Sequence, residues 1–432
     1  MLTAALCASG VARAEVYEVK AGDDWSLLGP KLVAGDEVIL LEGVHVPAQF
    51  TGLAGEPGRP IVLRGGDPTK LVEIASSREA IKLTDCRHVR VERILAKGMR
   101  RAGFVVDATA GGSCGDIVVQ DVLVQDVDGL AEQAGLVVLG AERVTLLRSR
   151  FEDCRGSAIH LECASEFRAE RLQIHAGAGA NTAFGVQVLG ASSELRFNDL
   201  WIWGSVRTGI SVGAKDAIAR APRVPVVPEA ATPARDAAPT PPQAERRDAV
   251  APPAGSTAKD PPSAPSASPV APAGSGAPGA PAPRPAMVRD AMFERLLVRD
   301  TDHAFEFGSC EGVTIANSTV VDASASIFRL VRPAKGQPGA SVRFRENIVT
   351  WEVGALRQLV APVEGTPTAG LRLGPNIWWS RELPSALPLL GPQDNPFQGT
   401  LEVPQTIDID PDLDDRSLPR TEAAKMFGRR VD

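Results

Sequence analysis

Short stretches in which apolar and polar residues alternate recur along the chain. One recurring unit reads small, apolar, any residue, apolar, as in Gly103-Phe104-Val105-Val106. A second unit follows each copy and consists of two alternating stretches that are separated by a polar pair and often closed by Asp or Gly, as in residues 117–126. A period of two residues without the helical period of 3.6 predicts short β-strands.

The spacing of these units predicts how the strands assemble. Eight copies of the small-apolar unit follow one another at intervals of 23 to 32 residues, apart from one gap of 95 residues between Gly209 and Ala304. Repeats of this size cannot bury their apolar faces alone and therefore stack into a solenoid. We predict an all-β fold, a right-handed parallel β-helix with about eight coils between residues 80 and 351.

Residues 217–286 account for the long gap. This stretch of 70 residues holds 18 of the 35 prolines and 21 alanines, a composition that cannot bury enough apolar surface to fold. We predict a disordered insert looped out of a continuous stack. The rest of the chain is predicted to contain four regions. An N-terminal cap with the first strands spans residues 15–79, and β-helix coils span residues 80–216. Further coils follow the insert at residues 287–374, and a loop-rich C-terminal cap spans residues 375–432.

The N-terminus and the cysteines bear on cellular location. Residues 1–14 read MLTAALCASGVARA and end in the small-x-small pattern that precedes a signal-peptidase cut, which predicts a secreted or periplasmic protein; a frayed N-terminus is the alternative. No apolar run is long enough for a transmembrane helix. Most of the cysteines are predicted to be buried and unpaired, although Cys154 and Cys163 could form a disulfide in an oxidising compartment.

Two segments near the ends resemble a known group of proteins. The stretch Gly35-Asp36-Glu37-Val38-Ile39-Leu40, followed by Pro60-Ile61-Val62-Leu63-Arg64-Gly65, is similar to the first strands of β-helix proteins of the chondroitinase-B/alginate-lyase-like (pectate-lyase-like) group. The acidic Asp410-Pro411-Asp412-Leu413 resembles the closing region of many secreted β-helix proteins. The resemblance implies the fold and a polysaccharide substrate. Lyases of this group use a Lys and Arg pair beside calcium-binding acids, and no stretch here matches those motifs.

Charge and metal motifs exclude several classes of partner. The net charge of 46 − 53 = −7 argues against a nucleic-acid partner. The acidic run from Asp408 to Asp414 suggests calcium, but an EF-hand loop starting at Asp408 would need Gly and Glu where Leu413 and Pro419 stand. We therefore predict no metal site and no cofactor.

Aligning the coils in register produces a candidate site. Trp201 and Trp203 fall on one outward face, with Gln173 and His175 on the preceding coil. The outward column through Trp203 reads Glu152, His175, Trp203, Arg299. Flat apolar rings can cover the faces of sugar rings, and the guanidinium of Arg299 would suit a uronate carboxylate.

The sequence thus yields a candidate set of six residues. We predict that Trp201, Trp203 and Gln173 bind the substrate and that Glu152, His175 and Arg299 carry any chemistry. The alternative is that a loop or the insert covers the two tryptophans.

Other polar positions are interpreted as structural. A second outward stripe on the small-apolar strands is predicted to be exposed, with an ion pair between Glu306 and Arg329; it comprises His160, Gln187, Ser211, Glu306 and Arg329. The polar residues at the bend of the second unit are predicted to support stacking; they are Arg93, Asp121, Arg148, Arg171, Asp199, Arg295, Asn317 and Glu346. The paired acids Asp126 and Asp128 are predicted to lie in a coil turn.

These observations predict a secreted or periplasmic β-helix protein that binds a polysaccharide, with an acidic polymer as one option. If it is an enzyme, it is expected to be a polysaccharide lyase or a glycoside hydrolase. The alternative class is a non-catalytic structural or surface-interaction protein.

Overall fold

The computed structural model describes most of the chain from residue 14 to residue 382. The described residues are 14–75, 77–128, 133–213, 287–333, 336–352, 354–363, 366–367, 370–380 and 382. Several predictions fall outside them: the signal-like segment (apart from Ala14), the insert at 217–286, the acidic run at 408–414 and nearly all of the C-terminal cap.

The described chain is a right-handed parallel β-helix, as predicted. Its strands form two parallel sheets, sheet 1 with 22 strands and sheet 2 with ten, and the strands are numbered in chain order. The first face of sheet 1 consists of β1 (Val16–Val19), β2 (Glu37–Leu40), β5 (Ile61–Gly65), β8 (Arg87–Glu92), β11 (Gly115–Gln120), β14 (Glu142–Leu147), β21 (Val288–Glu294), β24 (Cys310–Glu311), β25 (Val313–Ala316), β28 (Val342–Arg345) and β31 (Leu371–Leu373).

The second face of sheet 1 lies across a bend from the first. It consists of β3 (Val44–His45), β6 (Val72–Ala75), β9 (Ile94–Lys97), β12 (Leu123–Val127), β15 (Arg150–Cys154), β22 (Leu297–Arg299), β26 (Thr319–Val321), β29 (Ile348–Trp351) and β32 (Ile377–Ser380). Two long strands, β17 (Arg168–Ala176) and β19 (Ser193–Gly204), run through both faces, since β17 pairs with β14 and β15 and β19 pairs with β21 and β22.

Sheet 2 contains the small-apolar strands of the sequence repeat. It consists of β4 (Ala48–Thr51), β7 (Glu79–Thr84), β10 (Ala102–Asp107), β13 (Ala134–Leu139), β16 (Ser157–Glu162), β18 (Thr182–Leu189), β20 (Val206–Val212), β23 (Thr301–Phe307), β27 (Ser326–Leu330) and β30 (Gln358–Pro362). Strands are present at all eight predicted copies of the small-apolar unit, and β4 and β30 add one further strand at each end of the sheet. Near the N-terminus, one 3-10 helix, Trp25–Lys31, packs Trp25 edge-on against Phe50.

The small first position of the repeat follows from tight packing. A Cβ atom on Gly103 would lie 2.7 Å from the carbonyl oxygen of Gly135 and 2.8 Å from a methyl group of Val124. Inside the coils, apolar side chains stack from one coil to the next, as in the Phe167, Phe197 and Phe293 rings with centroids 5.4 and 4.8 Å apart. This continuous stack is the core.

The bend between the two faces of sheet 1 also follows the prediction. All eight predicted bend residues have positive φ, between 44° and 59°. A left-handed backbone at each coil turns the chain while the sheet hydrogen bonds continue on both sides. The side chains pair along the stack; for example, Arg148 donates two hydrogen bonds of 2.7 Å to the carboxylate of Asp121.

The two sides of the long sequence gap are adjacent coils. Strand β20 pairs in parallel with β23, so that Ser211 faces Glu306, and β19 pairs with β21 and β22. The stack therefore continues from residue 213 to residue 287 without losing register.

The polar stripe on sheet 2 was predicted to be exposed, and this was wrong. His160, Gln187, Ser211 and Glu306 are 2–5% exposed, and Arg329 is half-buried. These side chains hydrogen-bond to one another along the stack, which satisfies their polar atoms: His160 with Gln187 at 3.0 Å, Ser211 with Glu306 at 3.0 Å, and Arg329 with Glu306 at 2.9 Å. The predicted Glu306–Arg329 pair therefore exists, but as a pair with a buried carboxylate.

Three further predictions concern the cysteines, membrane spans and metal sites. Cys154 and Cys163 are free thiols, the first buried and the second exposed. No helix in the described part of the chain is long and apolar enough to cross a membrane. Among the same residues, no group of three or more His, Cys, Asp or Glu side chains could hold a metal ion.

Candidate functional site

The register of the coils places the predicted aromatic residues side by side. Gln173 pairs with Trp201 and His175 pairs with Trp203, while Glu152 on the preceding coil pairs with His175. Trp201 in turn pairs with Leu297 on the following coil, two residues before Arg299. The predicted register of these columns is therefore correct. His175, Trp201 and Trp203 are called the aromatic ladder below.

The rings of the aromatic ladder are half-buried and in contact. The centroids of His175 and Trp203 lie 5.2 Å apart with planes inclined by 33°, and those of Trp201 and Trp203 lie 6.5 Å apart nearly edge to face. The indole nitrogen of Trp201 donates to Asp199 at 3.2 Å. All three residues keep part of their surface exposed, unlike the buried core aromatics.

The charged residues beside the ladder are already paired. Glu152 is half-buried, accepts a hydrogen bond from the Gln125 amide and forms an ion pair with Arg150. Arg299 is exposed, and its Nε donates to Asp300 at 3.1 Å. Glu152 and Arg299 therefore each have a partner of opposite charge, and Gln173 lies half-buried next to Trp201.

A cleft of about 820 Å³ adjoins the ladder at the corner where sheet 1 turns into sheet 2. His175 belongs both to the ladder and to the wall of this cleft. The wall also contains the polar side chains of Asn181, Thr182, Arg207, Asp300 and Asp302. Much of the remaining wall is made of small residues, namely Ala176, Gly177, Ala178, Ala183, Gly204 and Ser205.

The cleft opens where a repeated acidic corner residue is missing. Asp126, Asp153 and Asp300 occupy equivalent corner positions with positive φ, between 54° and 55°. In the two coils between Asp153 and Asp300, the corner is occupied by Ala176 and Gly204, which pair with each other. Gly204 has φ +89°, and a Cβ there would lie 2.2 Å from the carbonyl oxygen of Ala176. Small residues are therefore needed here, and they leave the space.

Sequence reasoning missed three residues of this cleft. Asp300 lies in the corner between β22 and β23, whereas Arg207 and Asp302 are the second residues of β20 and β23 and precede the small-apolar units that begin at Gly209 and Ala304. The signal that could have found them is the acidic residue that recurs after the second strand of each unit, together with its replacement in two successive coils.

A smaller cavity of about 380 Å³ lies next to the cleft along the same corner. Its wall includes Asp126, Asp128 and Asp153, and Asp128 pairs with Arg155 at 2.8 Å. Asp126 and Asp128 thus form a second acidic pair with the spacing of Asp300 and Asp302, outside the larger cleft, at the coil turn where they were predicted.

Comparison with known proteins identifies the fold. No protein-family model and no curated protein matches this sequence. The GH136 lacto-N-biosidase from Eubacterium ramulus matches in structure with a TM-score of 0.55 and 11% identity, over 88% of this chain and 65% of that one. An alginate lyase from Paenibacillus sp. str. FPU-7 matches with a TM-score of 0.42, 11% identity and coverage of 87% and 97%.

Pectate lyase Pel9A matches with a TM-score of 0.44 and 9% identity, over 96% of this chain and 90% of that one. Of the lacto-N-biosidase, by contrast, the chain spans less than two thirds of the length. At 11% identity, the likeness to the lacto-N-biosidase shows a shared β-helix architecture and leaves the chemistry to the site itself.

Proposed function

We propose that the protein binds polysaccharide through the aromatic ladder. The observation that carries the proposal is the contact of the His175, Trp201 and Trp203 rings on one outward face, where all three residues are half-buried. Neighbouring partially exposed aromatic rings offer apolar surface to a ligand with flat apolar faces, which a pyranose ring has.

The position of the ladder relative to the cleft supports an extended ligand. Adjacent coils are about 4.8 Å apart, so a chain lying across His175 and Trp203 spans at least two coils. Because His175 also lines the cleft of about 820 Å³, a polymer on the ladder reaches that cleft. The similarity in fold to a lacto-N-biosidase agrees with a carbohydrate ligand as an analogy at the level of fold.

The proposal is tested by binding measurements on Trp203→Ala. We would titrate the protein with three neutral polymers, laminarin, xyloglucan and arabinogalactan, and with the acidic polymers polygalacturonate and alginate. Loss of one stacking ring should weaken binding about tenfold or more, equivalent to about 1.4 kcal/mol. Folding should be nearly unaffected, because the side chain is half-buried and outward.

Trp379 provides a matched control. It is half-buried and lies in the same outward column as Trp203, four coils further along, about 19 Å away. Trp379→Ala should therefore leave binding unchanged. Equal loss in both variants, or a Trp203→Ala protein that unfolds readily, would contradict a binding role for the ladder.

The alternative class is a non-catalytic structural protein, and the same titration distinguishes it. Absence of binding to all five polymers would favour that class. Export to the periplasm or the medium stays a prediction, and so does a preference for acidic polymers. The pairing of Arg299 with Asp300 weakens the argument for a uronate, because the guanidinium charge is partly offset.

A further inference from the structure

Two carboxylates lie in the cleft beside the aromatic ladder. Asp300 and Asp302 are both exposed and line the cleft, while Thr301 between them is buried. They sit at the corner between β22 and the body of β23, on the coil that follows Trp201 and Trp203. A glycan on the ladder would therefore extend toward both groups.

The two carboxylates have different partners. Asp300 accepts a hydrogen bond from the guanidinium of Arg299 at 3.1 Å. Asp302 accepts one from the hydroxyl of Ser324 at 3.1 Å, and no cation pairs with it among the described residues. The guanidinium beside Asp300 suits a carboxylate that acts as the base, and Asp302, on the other side of Thr301, is left as the candidate acid.

A polar group in the same wall has no partner. Thr182 lines the cleft, is 1% exposed, and its hydroxyl oxygen makes no hydrogen bond within the described chain. Buried hydroxyls are normally hydrogen-bonded, so an unsatisfied one at a cleft points to a partner supplied by a ligand or by water. Sugar hydroxyls supply such partners.

The charge of the cleft indicates which kind of glycan would fit. Asp300 and Asp302 oppose one guanidinium inside the cleft, that of Arg207, which lies 5.6 Å from the centre of the Phe184 ring. The second nearby guanidinium, Arg299, is engaged by Asp300. A uronate carboxylate would meet no excess of positive charge, whereas a neutral sugar meets no repulsion.

We propose that this cleft hydrolyses glycosidic bonds of a neutral glycan, with Asp300 as the base and Asp302 as the acid; this rests on the proposed function, since the ladder presents the chain. Asp300 takes a proton from water as the water oxygen bonds to the anomeric carbon. Asp302 gives its proton to the departing glycosidic oxygen as the bond from that oxygen to the anomeric carbon breaks. One water is consumed, and both carboxyl groups return to their starting state by proton exchange with solvent.

The experiment uses the full chain with laminarin, xyloglucan, arabinogalactan, polygalacturonate and alginate. Release of reducing ends detects hydrolysis, and ultraviolet absorbance of unsaturated uronates detects elimination. We expect reducing ends from at least one neutral polymer that binds. Asp300→Asn and Asp302→Asn should each lower kcat about 100-fold or more while binding to that polymer is retained. Asp128→Asn, at the equivalent acidic pair outside this cleft, should leave kcat unchanged.

The outcomes separate this inference from the proposed function. If no polymer binds, the ladder proposal fails and this one fails with it. If a neutral polymer binds through Trp203 but is not cleaved, binding stands and hydrolysis is refuted. Three other results would also overturn the hydrolysis proposal. They are cleavage that survives in Asp300→Asn and Asp302→Asn, an equal loss of kcat in Asp128→Asn, and unsaturated products from an acidic polymer.

Discussion

Removing Arg329 should destabilise the protein more than removing its partner Glu306. The two side chains pair at 2.9 Å on adjacent coils of sheet 2, but their surroundings differ. The side chain of Glu306 is 2% exposed, whereas that of Arg329 is 31% exposed. Arg329→Ala leaves a buried carboxylate whose remaining partner at this position is the Ser211 hydroxyl.

The magnitudes follow from which charge is stranded. Breaking a buried ion pair by removing one partner costs about 3–5 kcal/mol when the other charge stays buried. We expect this full cost for Arg329→Ala. Glu306→Ala leaves a guanidinium that already reaches solvent, so we expect about 2 kcal/mol, a reduced share of the same penalty.

Urea titration of each variant, followed by far-ultraviolet circular dichroism, measures the difference. Asp128 and Arg155 provide the control, because they pair at 2.8 Å with side chains 72% and 62% exposed. Alanine at either control position should change the free energy of unfolding by less than about 1 kcal/mol. Equal and small losses for Arg329→Ala and Glu306→Ala would refute the reasoning, because they would mean that water reaches Glu306.

The remaining predictions concern the thiols and the insert. In a chain that starts at residue 15, iodoacetamide at about pH 8 should modify Cys163 in the folded protein and spare the four buried thiols, since burial raises the pKa of Cys114 to about 12 and that of Cys154 further. Mass spectrometry checks this, and rapid native labelling of Cys154 would contradict it. Replacing residues 217–286 by a short Gly/Ser linker should leave the melting temperature nearly unchanged by calorimetry; a large drop would show that this segment packs against the coils.

The sequence was sufficient for the architecture because each coil repeats the same local constraints. Alternation fixes which side chains enter the core, and polar residues with positive φ, such as Arg148 and Asp199, mark the bends of the eight predicted coils. Register then follows, and with it the contact between His175 and Trp203. A shift by one residue would have placed these rings in the core.

The same reasoning failed where neighbouring segments decide the environment. His160 and Glu306 alternate along their strands as outward residues should, yet both are buried. The side chains that contact them, such as Gln187 and Arg329, belong to neighbouring coils, and the alternation within one strand does not predict such contacts.

The cleft was missed for a related reason. Asp302 and Arg207 lie at the starts of β23 and β20, ahead of the small-apolar units by which the repeat was recognised. The space beside them exists because Ala176 and Gly204 have small side chains or none, which the repeat pattern does not reveal.

The join between β20 and β23 has a consequence for the order of assembly. Ser211 and Glu306 meet across 95 residues of chain, whereas His160 and Gln187 meet across 27. Closing a loop about 3.5 times longer costs about 1.1 kcal/mol more in chain entropy. During synthesis, the ribosome must also add these residues before the next rung can form, several seconds at about 5–20 residues per second. During this interval, the backbone hydrogen-bonding groups on one edge of β20 have no partner strand. The nascent chain is therefore most prone to incorrect strand pairing at this junction.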